Sequence, residues 1–476
     1  MQVPIISRLN FRDYQALVVG LFFLFIERLL RIVTYCLPTF ALEFFKSQSQ
    51  KLYSMKHKDT RTDPVKAIQC STSFREMVEY WGYNIEEHIV KTRDNYILGI
   101  HRIPIGRSYG DSQSTESHIT SIFNNCGIPL SAIRTNYSHS IGEIKPVVLL
   151  YHGLMMCSEV WMCNMEEERQ LPFLLANAGY DVWLGNARGN KYSMKHTKYN
   201  PGESRFWEYS MDEFALFDLP DTIDYILGIT GAPSLTYIGF SQGTAQSFAA
   251  LSINPALNKK VNLFIALAPA TSPTGLQNPI VDAFIKASPN IVFLFFGRKA
   301  FLTMTLFWQR VLSPLIYTEL LDRCMKLLFG WNGKNMTKEQ KSVSYFHLYS
   351  FTSVKSLVHW FQIIRANNFQ MYDELPPYSS TTAMGHYCHK FPTQQIKTPI
   401  GVFYGGSDSL VDIKVLLNQL PKPVFTKEIP PYEHLDFLWA SDVHKTVFPD
   451  LFDLLSKYNV HHKIDEEIDN EYQQIN

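Results

Sequence analysis

The stretch LTYIGFSQGTAQSFAAL, residues 235 to 251, decides the fold. Its first six residues are apolar or β-branched and read as a buried strand, and TAQSFAAL after Gly243 reads as a helix. Between them Gly239-Phe240-Ser241-Gln242-Gly243 matches GxSxG, a weak signal alone and a much stronger one on a strand-to-helix turn. Such a turn holds the serine in strained backbone at the edge of a sheet, and the helix N-terminus behind it favours a developing negative charge.

Working outward, further buried strands are expected at Tyr96 to Ile103, Pro146 to Tyr151, Tyr180 to Leu184, Val261 to Ala268 and Ile400 to Tyr404, with helices at Met211 to Leu227 and Ala245 to Leu251. Short apolar strands alternating with helices predict an α/β fold around a mostly parallel sheet. After Pro269 the strand rhythm stops. Aromatic-rich helical patterns follow, including Val354, Leu357, Val358, Phe361 and Ile364 on one face, so residues 271 to 398 are expected to form an inserted helical cap. It divides the core into a first part, 70 to 270, and a second, 399 to 460. Within the first part, 106 to 143 is rich in Ser, Asn, Thr and Gly and is expected to be a polar surface insertion, partly disordered. Residues 461 to 476 read as a polar tail.

A serine hydroxyl needs an imidazole base, itself oriented by a carboxylate. The order Ser, acid, His directs the search downstream of Ser241. Asp408 follows the strand GVFY and so leaves the sheet on the same edge as Ser241, and His434 stands in a loop before a helical stretch. Asp412, further along its loop, is the rival acid. Asp436 is expected to be solvated or to cap the following helix. For the oxyanion, the backbone N–H groups of Gln242 and Leu154 are the candidate donors, the second because His152-Gly153-Leu154 follows the strand PVVLLY. His152 is read as structural, since His434 fills the acid–base role.

Composition excludes other classes. The 44 basic residues equal the 44 acidic ones, which leaves no electrostatic footprint for nucleic acid. Hydrophobic residues make up 46% of the 476 and charged ones only 18%, so the chain is not extensively disordered and unusual apolar surface for lipid is expected. Seven scattered cysteines without a CxxC pair indicate neither a disulfide framework nor a zinc site, and read as buried or free thiols.

At the N-terminus, YQALVVGLFFLFI (14 to 26) is followed by Glu27, Arg28 and Arg31 and a second apolar block to Leu42. Thirteen helical residues reach about 20 Å against a hydrocarbon core of ~30 Å, so neither block spans alone. No small-residue cleavage site follows, and residues 1 to 66 hold ten Lys/Arg against five Asp/Glu, which suits an anionic membrane face. Residues 1 to 45 are therefore expected to be a membrane-associated segment of monotopic or interfacial kind, with 46 to 69 as linker.

The motifs EEHIVKTRDNYILGIHRIP (86 to 104), HGL (152 to 154), GYDVWLGNARGNKYS (179 to 193), GFSQGT (239 to 244), YGGSDSLVD (404 to 412) and YEHLDFLW (432 to 439) together resemble the acid lipase branch of the α/β-hydrolases, the group of gastric and lysosomal lipases, over about residues 70 to 460. FWEYSMDEFALFDLP, FFGRK and SVKSLVHWFQI are similar to the fungal steryl ester hydrolases of lipid droplets. The resemblance implies a cofactor-free hydrolase with Ser241, Asp408 and His434 as triad and Leu154 and Gln242 as oxyanion donors. It implies sterol esters as substrate, at a lipid droplet or endoplasmic reticulum membrane; a triacylglycerol lipase, or an acyltransferase on neutral lipids with an alcohol acceptor, is the alternative of the same chemistry. The apolar N-terminus and the 106 to 143 insertion depart from secreted members, so a lysosomal, vacuolar or secreted location is the alternative. A non-catalytic droplet-surface protein is the reading from another class. Asn136-Tyr-Ser and Asn335-Met-Thr match the glycosylation acceptor pattern.

Overall fold

The computed structural model describes residues 63–107, 113–132, 144–273, 279–303, 305, 309, 312–374 and 388–459. The apolar segment at 1 to 45 and the tail from 461 lie outside them. Among the described residues no helix is long and apolar enough to cross a membrane.

Among the described residues nine strands form one sheet: β1 Glu86–Lys91, β2 Tyr96–Ile103, β3 Val147–Tyr151, β4 Asp181–Gly185, β5 Lys195–His196, β6 Leu235–Phe240, β7 Val261–Leu267, β8 Ile400–Gly405 and β9 Phe425–Ile429. The order is β1-β2-β4-β3-β6-β7-β8-β9, with β5 beside β2. From β4 to β9 neighbours run parallel; β1, β2 and β5 add antiparallel pairs at one edge. Strands β3, β4 and β6 are buried on both faces, as parallel strands under helices must be. Alternation then sorts their side chains: Val148 and Leu150 enter the core on one face, while Val147, Leu149 and Tyr151 enter the core on the other. This is an α/β-hydrolase fold with a mostly parallel sheet.

Helix α1 (Pro64–Cys70) and α2 (Phe74–Tyr80) precede the sheet. The end of the expected linker is thus ordered, because Ile68 is buried and its carbonyl meets His347 Nε2 at 2.8 Å. The polar insertion also needs correction. It contains α3 (Gln113–Cys126), whose Ile119, Ile122, Phe123 and Cys126 recur at i, i+3, i+4 and i+7 and enter the main core. Ile119, Ile122 and Phe123, at about 1.5–3 kcal/mol each, outweigh the polar residues between them, which need only face water.

On the helical side, α4 (Leu171–Asn177) leads into β4 and α5 (Leu219–Thr230) into β6. The expected helix at 211 to 227 is broken. Pro220 lacks an N–H and cannot sit against the carbonyl of residue 216, so Phe214–Asp218 form a π-helical turn, and the Leu216 carbonyl accepts from Arg93 Nη2 at 2.7 Å instead. Helix α6 (Gln242–Ile253) follows β6. Between β7 and β8 come α7 (Pro279–Lys286), α8 (Pro289–Phe296), α9 (Pro314–Phe329), α10 (Lys338–Leu348) and α11 (Val354–Ala366). Phe284, Ile291, Val292, Phe295, Val354 and Val358 give this insertion a core of its own. Helices α12 (Ile413–Gln419) and α13 (Phe448–Tyr458) complete the described fold.

Candidate active site

Ser241 sits where β6 becomes α6, at φ 53° and ψ −118°. This left-handed backbone is costly for a residue with a Cβ, by about 1–3 kcal/mol, and it turns the hydroxyl away from the strand. The turn is held from below by Ser241 N–H donating to the Leu267 carbonyl of β7 at 3.0 Å. Gly243 is required by approach: a Cβ there would lie 2.6 Å from the Tyr151 carbonyl oxygen and 2.8 Å from that of His152. Its absence lets α6 start directly against the end of β3.

Asp408 lies three residues beyond β8. At Gly405 any Cβ would overlap the Tyr432 carbonyl, and Ser407 N–H donates to that carbonyl at 3.1 Å, so the loops after β8 and β9 are laid side by side. His434 is on the second loop. Its Nδ1 is 2.7 Å from Asp408 Oδ2 and its Nε2 2.7 Å from Ser241 Oγ. Asp408 Oδ1 accepts from Leu410 N–H at 3.0 Å, which leaves Oδ2 for the imidazole. Asp408 and His434 are buried while Ser241 is half-buried, so the hydrogen-bonded chain runs from the interior to an accessible hydroxyl.

Other expected positions fall into place around this chain. Asp412 caps α12 through Val415 N–H at 3.1 Å and takes no part. Asp436 is not solvated: it is fully buried, and its Oδ2 accepts from Glu433 N–H at 2.6 Å and Asn335 Nδ2 at 2.7 Å. Burial raises its carboxyl to about 6, with the nearby Glu433 and Asp442 charges adding to the effect, and its Oδ1 finds no partner among the described residues. His152 accepts Ala187 N–H on Nε2 at 3.1 Å and so carries its proton on Nδ1, 2.8 Å from the Gly153 carbonyl. Burial depresses it to about 4, and it is a neutral structural group.

The Leu154 and Gln242 amides have no hydrogen-bond partner among the described residues. Both segments that carry them, the loop after β3 and the start of α6, are tied to the helical insertion. Trp360 Nε1 of α11 donates to Gln242 Oε1 at 2.8 Å, and Ser350 N–H donates to the carbonyl of Met155, itself at φ 57°, at 2.6 Å. These contacts escaped the sequence reading, since a tryptophan on a helix or a serine between two helices carries no sign of what it will touch. Trp331 escaped likewise; its indole stacks on His434 with centroids 5.2 Å apart and planes 11° from parallel. Chemically, a half-buried hydroxyl hydrogen-bonded to a carboxylate-oriented imidazole, beside two unpartnered amides, can carry out acyl transfer.

Comparison with known proteins agrees. A family model of the α/β-hydrolase fold matches residues 146–441, and one for a partial α/β-hydrolase lipase region matches 74–165. A probable lipase of Schizosaccharomyces pombe is 44% identical, covering 100% of this chain and 97% of its own. The gastric triacylglycerol lipase of Rattus norvegicus is 36% identical over 82% of this chain and 93% of its own, and the lysosomal acid lipase/cholesteryl ester hydrolase of Macaca fascicularis 34% identical over 84% and 96%. With the fold, the serine turn and full-length relatives in accord, the chain belongs to the acid lipase family of α/β-hydrolases.

Proposed function

We propose that this lipase-type ester hydrolase cleaves sterol esters to sterol and fatty acid through an acyl-enzyme on Ser241. The reading rests on the hydrogen-bonded chain from Ser241 through His434 to Asp408. His434 Nε2 takes the hydroxyl proton as Oγ attacks the ester carbonyl, and Asp408 holds the imidazole with its second proton on Nδ1. The Leu154 and Gln242 amides receive the oxyanion. When the tetrahedral intermediate collapses, the imidazolium returns its proton to the sterol oxygen; water, activated by the same imidazole, then releases the fatty acid.

Residues 271 to 398 act as the cap over this centre. A cap rich in aromatic and aliphatic side chains suits a sterol ring system, which buries its whole apolar area at ~25 cal/mol per Å². A phospholipid headgroup would lose hydration there without an evident charged partner. Triacylglycerol is the second reading, favoured by the name of the gastric relative. For location, the apolar stretch 1 to 45 supports attachment to a lipid droplet or reticulum membrane, and the S. pombe relative aligns along the whole chain. The lysosomal relative supports a lumenal or secreted alternative. The test is turnover of sterol ester, triacylglycerol and phospholipid in matched mixed micelles by wild type and Ser241→Ala. Sterol ester should be cleaved at least as fast as triacylglycerol, phospholipid hardly at all, and Ser241→Ala should be inactive; triacylglycerol turnover without sterol ester turnover overturns the substrate assignment. Failure of wild type to react with a fluorophosphonate would indicate a non-catalytic surface protein.

A further inference from the structure

The segment joining α9 to α10 lies in the helical insertion, about ninety residues from the serine turn in sequence, yet it grips both loops that carry the base and the acid. Trp331 lies face to face with the His434 imidazole. Its Nε1 donates to Ser409 Oγ at 3.0 Å, and that hydroxyl donates to the Phe329 carbonyl at 2.7 Å, so the residue next to Asp408 is held at the same point. On the His434 loop, Glu433 accepts from Asn332 N–H and Gly333 N–H at 2.7–3.0 Å. Asn335 Nδ2 donates to the Pro431 carbonyl at 2.7 Å and to Asp436 Oδ2 at 2.7 Å, on either side of His434. The Asn335 carbonyl in turn accepts from Ser441 N–H at 2.9 Å.

We propose that the turn Trp331–Asn335 is a positioning element for His434, Trp331 fixing the plane of the imidazole and Asn335 the backbone that bears it. The inference deepens the serine-hydrolase reading and rests on it. In that chemistry the imidazole must accept a proton from Ser241 and deliver it to a leaving alcohol without swinging away, and a parallel indole blocks the swing. An indole face also favours a cationic ring over a neutral one, which places extra stabilisation on the imidazolium that exists only after the proton has moved. The charged groups around the pair are Asp408 on Nδ1, Glu433 and Asp436 on the histidine's own loop, and Asp322 with its partner Lys341 from the insertion behind the indole. Substituting Trp331 leaves all of these in place.

The experiment uses the full chain with p-nitrophenyl butyrate, a soluble ester too small to need the cap. Trp331→Leu should lower kcat about tenfold or more with KM within about twofold, and should move the acid limb of the kcat/KM profile down by about half a pH unit, as expected for a weakened cation–π contact. Trp331→Phe, which keeps a ring, should restore most of both. Should the leucine variant not fold, Asn335→Ala serves in its place, with an expected loss of about fivefold in kcat at unchanged KM. Wild-type kcat and an unmoved acid limb in folded Trp331→Leu overturn the proposal, as does wild-type kcat in Asn335→Ala. Ser241→Ala run alongside separates the two levels: an inactive Ser241→Ala with unaffected turn variants leaves the triad standing and removes the positioning role, while an active Ser241→Ala removes the triad itself.

Discussion

Replacing Asp408 by Asn tests the acid by geometry alone, because the two oxygens of the carboxylate face different partners. Oδ1 accepts from Leu410 N–H at 3.0 Å, so the amide oxygen of an asparagine is drawn to that side and its NH2 is turned to His434 Nδ1. Facing a donor, Nδ1 must give up its proton and accept; Nε2 then carries the hydrogen and presents it to Ser241 Oγ. In that tautomer the imidazole cannot take the hydroxyl proton. If the triad behaves like the well-studied one, kcat should fall by about 10⁴, or about 5.4 kcal/mol at 1.36 kcal/mol per decade. The fold should persist, since the side chain keeps its shape and its bond to Leu410. Asp412→Asn is the internal comparison: Asn is as good a cap, so α12 should hold and kcat should stay within about twofold. Turnover of p-nitrophenyl butyrate and the rate of fluorophosphonate labelling, both on protein checked by circular dichroism, supply the readout. Equal losses in the two variants, or a larger one in Asp412→Asn, would refute the reasoning.

Arg188 is buried between Asp94 and Asp218, donating to both, so Arg188→Met leaves the buried Asp218 side chain without its main partner and should destabilise by about 3–5 kcal/mol in urea titration. Burial raises the Asp212 carboxyl to about 7, and its Oδ1 has no partner. The fold therefore holds that proton more tightly than the unfolded chain, which releases it near 4, and stability is lost as pH rises from about 4 through 7. Asp212→Asn, which keeps an acceptor for Tyr372 N–H, should accordingly gain Tm relative to wild type at pH 8 more than at pH 5. Deleting residues 1 to 45 should release the enzyme from membranes in fractionation while leaving turnover of a soluble ester nearly unchanged; a truncated chain that stays bound would move the anchor elsewhere.

Most strands that were legible in the sequence are buried on both faces, where an unbroken apolar run such as VVLLY or LTYIGF has no other reading; β2, YILGIHRI, was legible although its burial alternates. Edge strands were not. In β1 Glu86, Glu87, His88 and Lys91 mask the pattern, and β9, FTKEI, alternates too briefly to stand out. Helix α3 was legible in principle at Ile119, Ile122, Phe123 and Cys126, but serine, threonine and asparagine outnumber these residues, and composition prevailed over periodicity. For the site, chain order and strand ends pointed to Ser241, Asp408 and His434, because each leaves the sheet on the same edge. Asp436 was misjudged, since its burial comes from Asn335 and the turn at 331 to 335, a contact between segments about a hundred residues apart. Trp331, Ser350 and Trp360 are invisible for the same reason: their meaning depends on where the insertion lies against the sheet.

The engagement of Asn335 bears on how the compartment that this enzyme faces can be tested. Asn335-Met336-Thr337 fits the pattern for N-linked sugar, yet both hydrogens of its amide nitrogen are directed at Pro431 and Asp436, and Thr337 Oγ1 is taken by Gln340 N–H at the start of α10. Joining a glycan to that nitrogen replaces one of the hydrogens, so an oligosaccharide at 335 and the closed turn exclude each other. An occupied Asn335 therefore marks chains modified before the turn had formed. An empty one is silent about which side of a bilayer the domain faces, and reporter sequons for topology belong on exposed loops remote from this turn.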